Sequence, residues 1–133
     1  MKRRSQSKLV FLVAGALLIA VAGRAVAHHS FAATYQADDR IEIEGKVKEL
    51  VWRNPHSFLR IDVEDEDGNP QTWSLEWTSA NRLAGSSMTR TTLRPNDVVV
   101  AIGSPARTPG SPRMLLRQLK RPSDGWEWIG DID

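Results

Sequence analysis

The sequence contains no cysteine, and this absence removes several kinds of chemistry at once. Without a thiol, the chain has no disulfide bond, no thiolate metal ligand and no cysteine nucleophile. It also has only three histidines and one tyrosine among its 133 residues. The candidates for a functional site therefore reduce to the histidines, the carboxylates and the tryptophans.

The sequence also lacks an apolar run long enough for a typical membrane-spanning helix. Residues 9–22 are apolar and uncharged but number only 14, whereas a spanning helix needs about 20 residues. Four basic residues precede this run, and Ala25-Val26-Ala27 follows it as a small-x-small cleavage site. This order predicts a signal peptide at residues 1–27, a periplasmic mature chain, and membrane contact only before cleavage. The alternative is an uncleaved N-terminal anchor.

The mature chain lacks a basic excess. Five of the 18 basic residues and none of the 16 acidic residues lie in residues 1–27, so the rest carries 13 basic against 16 acidic residues, a net charge of −3. Nucleic-acid phosphates require a basic footprint. We therefore expect no nucleic-acid partner.

Alternating apolar and polar residues predict β-strands, which we expect over residues 41–53, 57–64, 71–77, 98–102 and 114–119. We expect a bend or bulge at Gly45 and a bulge near Glu49 and Leu50. Ser79 is a suitable N-cap for a short helix that Gly85 would end.

This order of elements, with the helix between the third and fourth strands, is that of a five-stranded barrel of the oligonucleotide/oligosaccharide-binding (OB) type. A meander sheet or a small sandwich is the alternative. The predicted organisation is a signal peptide at residues 1–27, an N-terminal arm at residues 28–40, the mostly β, OB-like barrel at residues 41–122 and a tryptophan-containing tail at residues 123–133. Phe31 and Tyr35 are expected to pin the arm to the barrel.

Several motifs resemble those of a family of small exported bacterial proteins, the domain of unknown function 6152. The most specific are the His-His-Ser-Phe start at residues 28–31 and the Asn-Pro-His turn at residues 54–56. The resemblance covers residues 28–120 and implies export and the domain boundary, but no activity. The chain departs from the family pattern at Ser87-Met88, where Gly-Trp is usual, and at Asn96, where Gly is usual. Because Asn tolerates positive φ, we expect the second turn to persist.

The three histidines are the candidate metal ligands. His28 and His29 stand at the predicted mature N-terminus, and His56 lies in the Asn-Pro-His turn. An N-terminal His offers its α-amine and its ring, and His56 would add a third nitrogen, a ligand set that favours Cu(II). Cleavage after Ala25 would instead place His28 third, where amine, amides and imidazole also hold Cu(II) or Ni(II). Either arrangement with His56 requires the arm to fold back against residues 54–57.

Less specific interpretations of these residues stay open. The His-His pair can be solvated, and the His56 ring can bond to the backbone of its own turn. Met88 and Met114 are candidate Cu(I) ligands, although core positions are the simpler explanation. The acidic turn at residues 65–69 lacks the ligand spacing of an EF-hand and is expected to be a solvated hairpin turn.

The tryptophans divide into two groups. Trp73 and Trp77 alternate along a predicted strand and are expected in the core. Trp126 and Trp128 flank a glutamate in the tail, where they would close one barrel end or bind a ligand. The second possibility predicts a small molecule, a glycan or a periplasmic protein as the partner.

The sequence shows no catalytic motif. A catalytic triad could be drawn from Ser57, His56 and either Glu76 or Asp97, but the sequence has no nucleophile-elbow motif. We therefore expect an exported, non-enzymatic binding or accessory protein that binds copper. The alternatives are a metal-free barrel that binds a ligand or protein, and a copper oxidoreductase that uses the same histidines.

Overall fold

The computed structural model describes residues 31–130, and the chain divides into two compact units, residues 1–34 and residues 35–133. In the first unit, residues 31–34 are helical. The predicted signal peptide, His28 and His29 lie outside the described residues. Across residues 31–130, no helix combines the length and apolar character that crossing a membrane requires.

Residues 35–130 form six strands and one further helix, which follow the predicted order with one strand added at the end. Their bounds are β1 Ile41–Val51, β2 Phe58–Glu64, β3 Pro70–Glu76, α1 Ala80–Gly85, β4 Val98–Pro105, β5 Arg113–Arg121 and β6 Trp126–Ile129.

The first five strands close into a barrel. Antiparallel pairs join β3 to β2, β2 to β1, β1 to β4 and β4 to β5, and a parallel pairing of β3 with β5 closes the ring. The parallel register places Leu75 opposite Met114. This connectivity, with α1 between β3 and β4, confirms the predicted OB-like barrel.

The long first strand belongs to both sides of the barrel. Its first half, from Ile41 to Lys46, pairs with β4, and residues 46–51 pair with β2, with a register shift between Val47 and Glu49. This shift confirms the predicted bulge near Glu49. The pairing with β4 runs without a shift through Gly45, so of the bend or bulge predicted there, the bulge was wrong. Gly45 instead lies where the strands approach closely, since a Cβ atom would stand 2.6 Å from the carbonyl oxygen of Asp62.

The core follows the predicted alternation. On β2 and β3, Leu59, Ile61 and Leu75 have no exposed surface, and Trp77, which directly follows β3, is 1% exposed. Fully burying such a side chain contributes about 1.5–3 kcal/mol. The inward residues of these strands, with matching residues from β4 and β5, therefore form one apolar core.

Helix α1 begins and ends where the sequence predicts. The Ser79 side chain accepts a hydrogen bond from the backbone N–H of Arg82, which is the N-cap arrangement. Leu83 is fully buried in the core, and the helix ends at Gly85.

The structure accommodates Asn96 and Met88. Ser87, which stands where the family usually has Gly, has φ 63°. Asn96 has φ 72°, the positive value for which Gly or Asn is suited, and its N–H donates to the carbonyl of Val47 at 2.8 Å. Met88 is 4% exposed and lies in the core cluster, as does Met114. The simpler explanation of both methionines as core residues agrees with their burial.

The tail forms a strand that the sequence analysis did not predict. β6 pairs with the second half of β5, with Trp128 opposite Leu119 and Trp126 opposite Arg121. The first half of β5 pairs with β3. β5 therefore completes the barrel at one end and carries β6 at the other.

Candidate functional site

The Asn-Pro-His turn between β1 and β2 is held against the start of α1. The Asn54–Pro55 peptide bond is cis. The side chain of Asn54 donates to Oδ1 of Asn81 and accepts from the backbone N–H of Asn81, both at 3.3 Å. The N–H of Ala80 donates to the carbonyl of Arg53 at 3.1 Å. These bonds fix the position from which the His56 side chain extends.

Ser57 closes this turn from inside the protein. Its hydroxyl donates to the carbonyl of Arg53 at 3.1 Å and accepts from the backbone N–H of the same residue at 3.3 Å. Its side chain has no exposed surface, and its carbonyl accepts from the N–H of Trp77. Ser57, the serine of the triad considered from the sequence, thus bonds to the backbone of Arg53 and has a structural role.

His56 meets a carboxylate at the end of β3. Its Nδ1 lies 2.6 Å from Oε1 of Glu76. The His56 side chain is 34% exposed, whereas that of Glu76 is 12% exposed. The sequence analysis considered a bond from this ring to the backbone of its own turn and did not predict the contact with Glu76. That contact forms because β3 places the Glu76 carboxylate beside the turn.

Tyr35 binds the other oxygen of the same carboxylate. Its hydroxyl donates to Oε2 of Glu76 at 2.6 Å, and its side chain is 1% exposed. The backbone of Tyr35 forms a β-bridge with Ala106. Tyr35 therefore anchors the start of the second unit to the barrel, as predicted.

Burial and the bond to Glu76 change the acidity of this phenol. Burial is the larger cause, and both it and the Glu76 carboxylate raise the pKa of Tyr35 well above its usual range. Arg113 opposes them with a long hydrogen bond of 3.5 Å from Nη2 to the Tyr35 hydroxyl. Tyr35 consequently stays a neutral donor to Glu76 throughout the physiological pH range.

One carboxylate thus holds a histidine on one side and a tyrosine on the other. Because Nδ1 of His56 faces Glu76, Nε2 is the ring nitrogen that would bind a metal. Ligating histidines commonly use their second nitrogen in this way, which fixes the tautomer and the ring orientation. Among residues 31–130, no group of three or more His, Asp or Glu side chains is arranged to hold a metal ion.

The acidic hairpin turn shows contacts of the kind expected for a turn. Oδ1 of Asp65 accepts hydrogen bonds from the backbone N–H groups of Asp67 and Asn69, at 3.0 and 2.8 Å. Gly68 has φ 80°, which suits glycine. The Asp65 carboxylate therefore orders the turn.

The two tail tryptophans lie on the core side of β6. The rings of Trp128 and Trp77 meet edge to face, with centroids 5.0 Å apart and planes at 75°. The guanidinium of Arg121 lies 5.6 Å from the centroid of Trp126. Both tryptophans are half-buried and pack against the core. Their contacts are those of side chains that close a barrel end, one of the two roles considered from the sequence.

Sequence reasoning missed Glu76 as the partner of His56 and missed the bond from Tyr35 to Glu76. Glu76 appears in the sequence as the outward residue of an alternating strand, a position that a solvated glutamate also occupies. Tyr35 appears only as an aromatic anchor. A clue was available in Tyr35, because a buried tyrosine needs a partner for its hydroxyl.

The family described as Family of unknown function (DUF6152) matches residues 15–118. This range includes Tyr35, His56 and Glu76, and the match confirms the resemblance found in the sequence. No curated protein matches the chain, and no solved structure matches it.

Proposed function

We propose that this chain, which belongs to the Family of unknown function (DUF6152), is an exported, non-enzymatic copper-binding protein. The proposed ligands are His28, His29 and His56, with Glu76 as the residue that positions His56. The proposal places the mature protein in the periplasm, where it would store, deliver or sense copper.

The contact between His56 and Glu76 carries this proposal. A carboxylate that accepts a hydrogen bond from one ring nitrogen fixes the tautomer and the ring orientation of a ligating histidine. The distance of 2.6 Å between Nδ1 and Oε1 is that of a short, strong hydrogen bond. The His56 side chain is also 34% exposed.

The second support for the proposal is the short length of chain between His28 and Tyr35. Tyr35 bonds to the same carboxylate as His56, and His28 precedes it by seven residues in the sequence. Seven extended residues span at most about 25 Å. The chain length therefore permits His28 and His56 to bind the same ion, as the proposal requires.

Copper is the proposed metal because of the donors. A mature chain that begins at His28 has an α-amine and an imidazole in one residue, and His56 adds a third nitrogen. Nitrogen donors in a tetragonal arrangement favour Cu(II) over the other common divalent ions. Because the chain contains no cysteine, no thiolate competes with the imidazoles for copper.

The test is a calorimetric Cu(II) titration of the protein exported with its own signal and purified from the periplasm, after its mass has located the N-terminus. We expect one-to-one, sub-micromolar binding that His56→Ala weakens at least about tenfold, the loss equivalent to one good charge-assisted contact. Asp67→Asn, in the exposed acidic turn, is the control and should bind as the wild type. Equal affinities for His56→Ala and the control would overturn the proposal.

Two alternatives predict different results. A ligand-binding barrel would lose its ligand in Trp126→Ala and keep it in His56→Ala. A copper oxidoreductase would turn over with a reductant and oxygen, and His28→Ala would abolish that turnover.

A further inference from the structure

The outward side of β4 is apolar. Val98, Val100 and Ile102 alternate with buried residues along this strand, so they point away from the core. Val98 is 41% exposed, and Val100 and Ile102 are half-buried. Within residues 31–130, none of the three belongs to the core cluster or packs against it. Because the solvated face of an antiparallel sheet normally carries polar residues, a continuous apolar stripe on this side is unusual.

The strand register identifies the charged neighbours of this stripe. On the β1 side, Glu44 lies opposite Val100, and the next outward residue, Glu42, lies opposite Ile102. On the β5 side, Lys120 lies opposite Val100. Side chains directly opposite each other on one face of an antiparallel pair have Cβ atoms about 4.5–5.5 Å apart. The stripe therefore has carboxylates along one flank and an ammonium group on the other.

The edge strand β6 widens the apolar surface. Ile129 lies opposite Gln118, which in turn lies opposite Ile102 on β4. Among residues 31–130, Val98 and Ile129 are the exposed large apolar side chains, at 41% and 61%, and both lie on this side of the barrel. Exposed apolar residues that gather on one face mark an interaction surface. We call the surface formed by Val98, Val100, Ile102 and Ile129 the β4 face.

The charges beside the β4 face are weakly neutralised within the chain. In the part of the chain that the structure describes, no ion pair involves Glu42 or Glu44. Nζ of Lys120 lies 3.7 Å from Oε1 of Glu127, and both side chains are exposed. An exposed ion pair of this kind contributes little to stability, so Lys120 can also pair with a carboxylate of another molecule.

We propose that the β4 face binds a second copy of this chain in a symmetric dimer. A two-fold axis parallel to β4 would stack the two apolar stripes and place β1 of each copy over β5 of the other. Glu44 would then face Lys120 of the other copy, because both residues lie level with Val100. A two-fold interface must be complementary to itself, and an apolar stripe with opposite charges on its two flanks meets this requirement. The dimer goes beyond the copper proposal and does not depend on it.

Sedimentation velocity of the mature protein, exported with its own signal, tests the dimer. The protein is measured at low ionic strength from about 1 μM to about 1 mM, which covers the dissociation constants of weak complexes. We expect a reversible monomer–dimer equilibrium that high salt shifts toward the monomer, because salt screens the exposed charge pairs. Protein that sediments as a monomer at every concentration would overturn the proposal.

Two charge reversals test the alignment of the copies. Glu44→Lys and Lys120→Glu each place like charges opposite each other, so each variant alone should dimerise at least about tenfold more weakly than the wild type. An equimolar mixture of the two should associate more tightly than either alone, because the mixed dimer brings opposite charges together at both contacts. Glu66→Lys is the control, since it changes the net charge as Glu44→Lys does but lies in the exposed acidic turn. A mixture that associates no better than its components, or a control as weak as Glu44→Lys, would contradict the proposed alignment.

A further variant tests the apolar stripe. Val100→Thr preserves the shape of the side chain, and circular dichroism shows whether the variant is folded. We expect dimerisation about tenfold weaker than that of the wild type, because the dimer would bury a hydroxyl without a hydrogen-bond partner. Val51→Thr, at the end of β1 where it pairs with β2, is the matched control and should dimerise as the wild type. Equal dissociation constants for the two variants would overturn the role of the β4 face.

Discussion

The Nδ1 atom of His56 lies 2.6 Å from the Oε1 atom of Glu76, a residue 20 positions further along the chain. His56 belongs to the turn after β1, and Glu76 is the last residue of β3. Tyr35 binds the second oxygen of Glu76. The carboxylate therefore joins the start of the second unit, the Asn-Pro-His turn and the barrel.

Glu76→Ala should weaken Cu(II) binding by about 10- to 100-fold, the usual cost of losing a residue that orients a metal ligand. Glu76→Gln should lose less, because the amide oxygen still accepts a hydrogen bond from Nδ1. Calorimetry on the mature protein measures both losses. Glu66→Ala, in the exposed acidic turn, is the control. If Glu76→Ala binds copper as tightly as this control, Glu76 does not position a ligand.

Tyr35→Phe should lower the free energy of unfolding by about 1–3 kcal/mol, because the change leaves a mostly buried carboxylate oxygen without its donor. Urea denaturation followed by tryptophan fluorescence measures this value. Ser123→Ala, at an exposed position in the β5–β6 turn, should leave the stability within about 0.5 kcal/mol of the wild type. A Tyr35→Phe protein as stable as Ser123→Ala would show that the hydroxyl contributes nothing to the fold.

Tyr35 is the only tyrosine in the chain, so the ultraviolet absorbance of phenolate reports on it alone. Its pKa is raised in the folded state, chiefly by burial and next by Glu76. Folded protein should show no phenolate near pH 10, whereas protein unfolded in urea should titrate there. The raised pKa stabilises the fold at lower pH, and this contribution should decline as the pH rises above about 10. Identical titration curves in the two states would exclude a buried, hydrogen-bonded Tyr35.

Gly45→Ala should destabilise the barrel by about 1–3 kcal/mol, the range typical of overpacking. The new Cβ would lie 2.6 Å from the carbonyl oxygen of Asp62, and backbone cannot easily move there. Gly85→Ala is the matched control, because no atom lies within 4 Å of the corresponding Cβ. Thermal unfolding compares the two variants. Equal midpoints would show that the strands at Gly45 are not in close contact.

The barrel was predictable because it rests on local patterns. Alternation located the inward residues of β2 and β3, Ser79 marked the start of α1, and the phase change near Glu49 marked the bulge. β6 was missed because four residues after a Gly are too few for a pattern, and its pairing with β5 depends on the tertiary fold. The partnership of His56 with Glu76 depends on the β2–β3 register, which pairs Phe58 with Glu76 and so places this carboxylate beside the turn. It was missed because alternation predicts the two strands but does not fix which residues lie opposite each other.

Electron paramagnetic resonance of the Cu(II)-loaded mature protein tests the central claim most directly. We expect one tetragonal Cu(II) centre with hyperfine coupling to several nitrogens. Labelling histidine with ¹⁵N should alter that coupling, and His56→Ala should remove one nitrogen from it. A spectrum that His56→Ala leaves unchanged, or one typical of aqueous Cu(II), would contradict the proposal that His56 and the N-terminal histidines form a copper site.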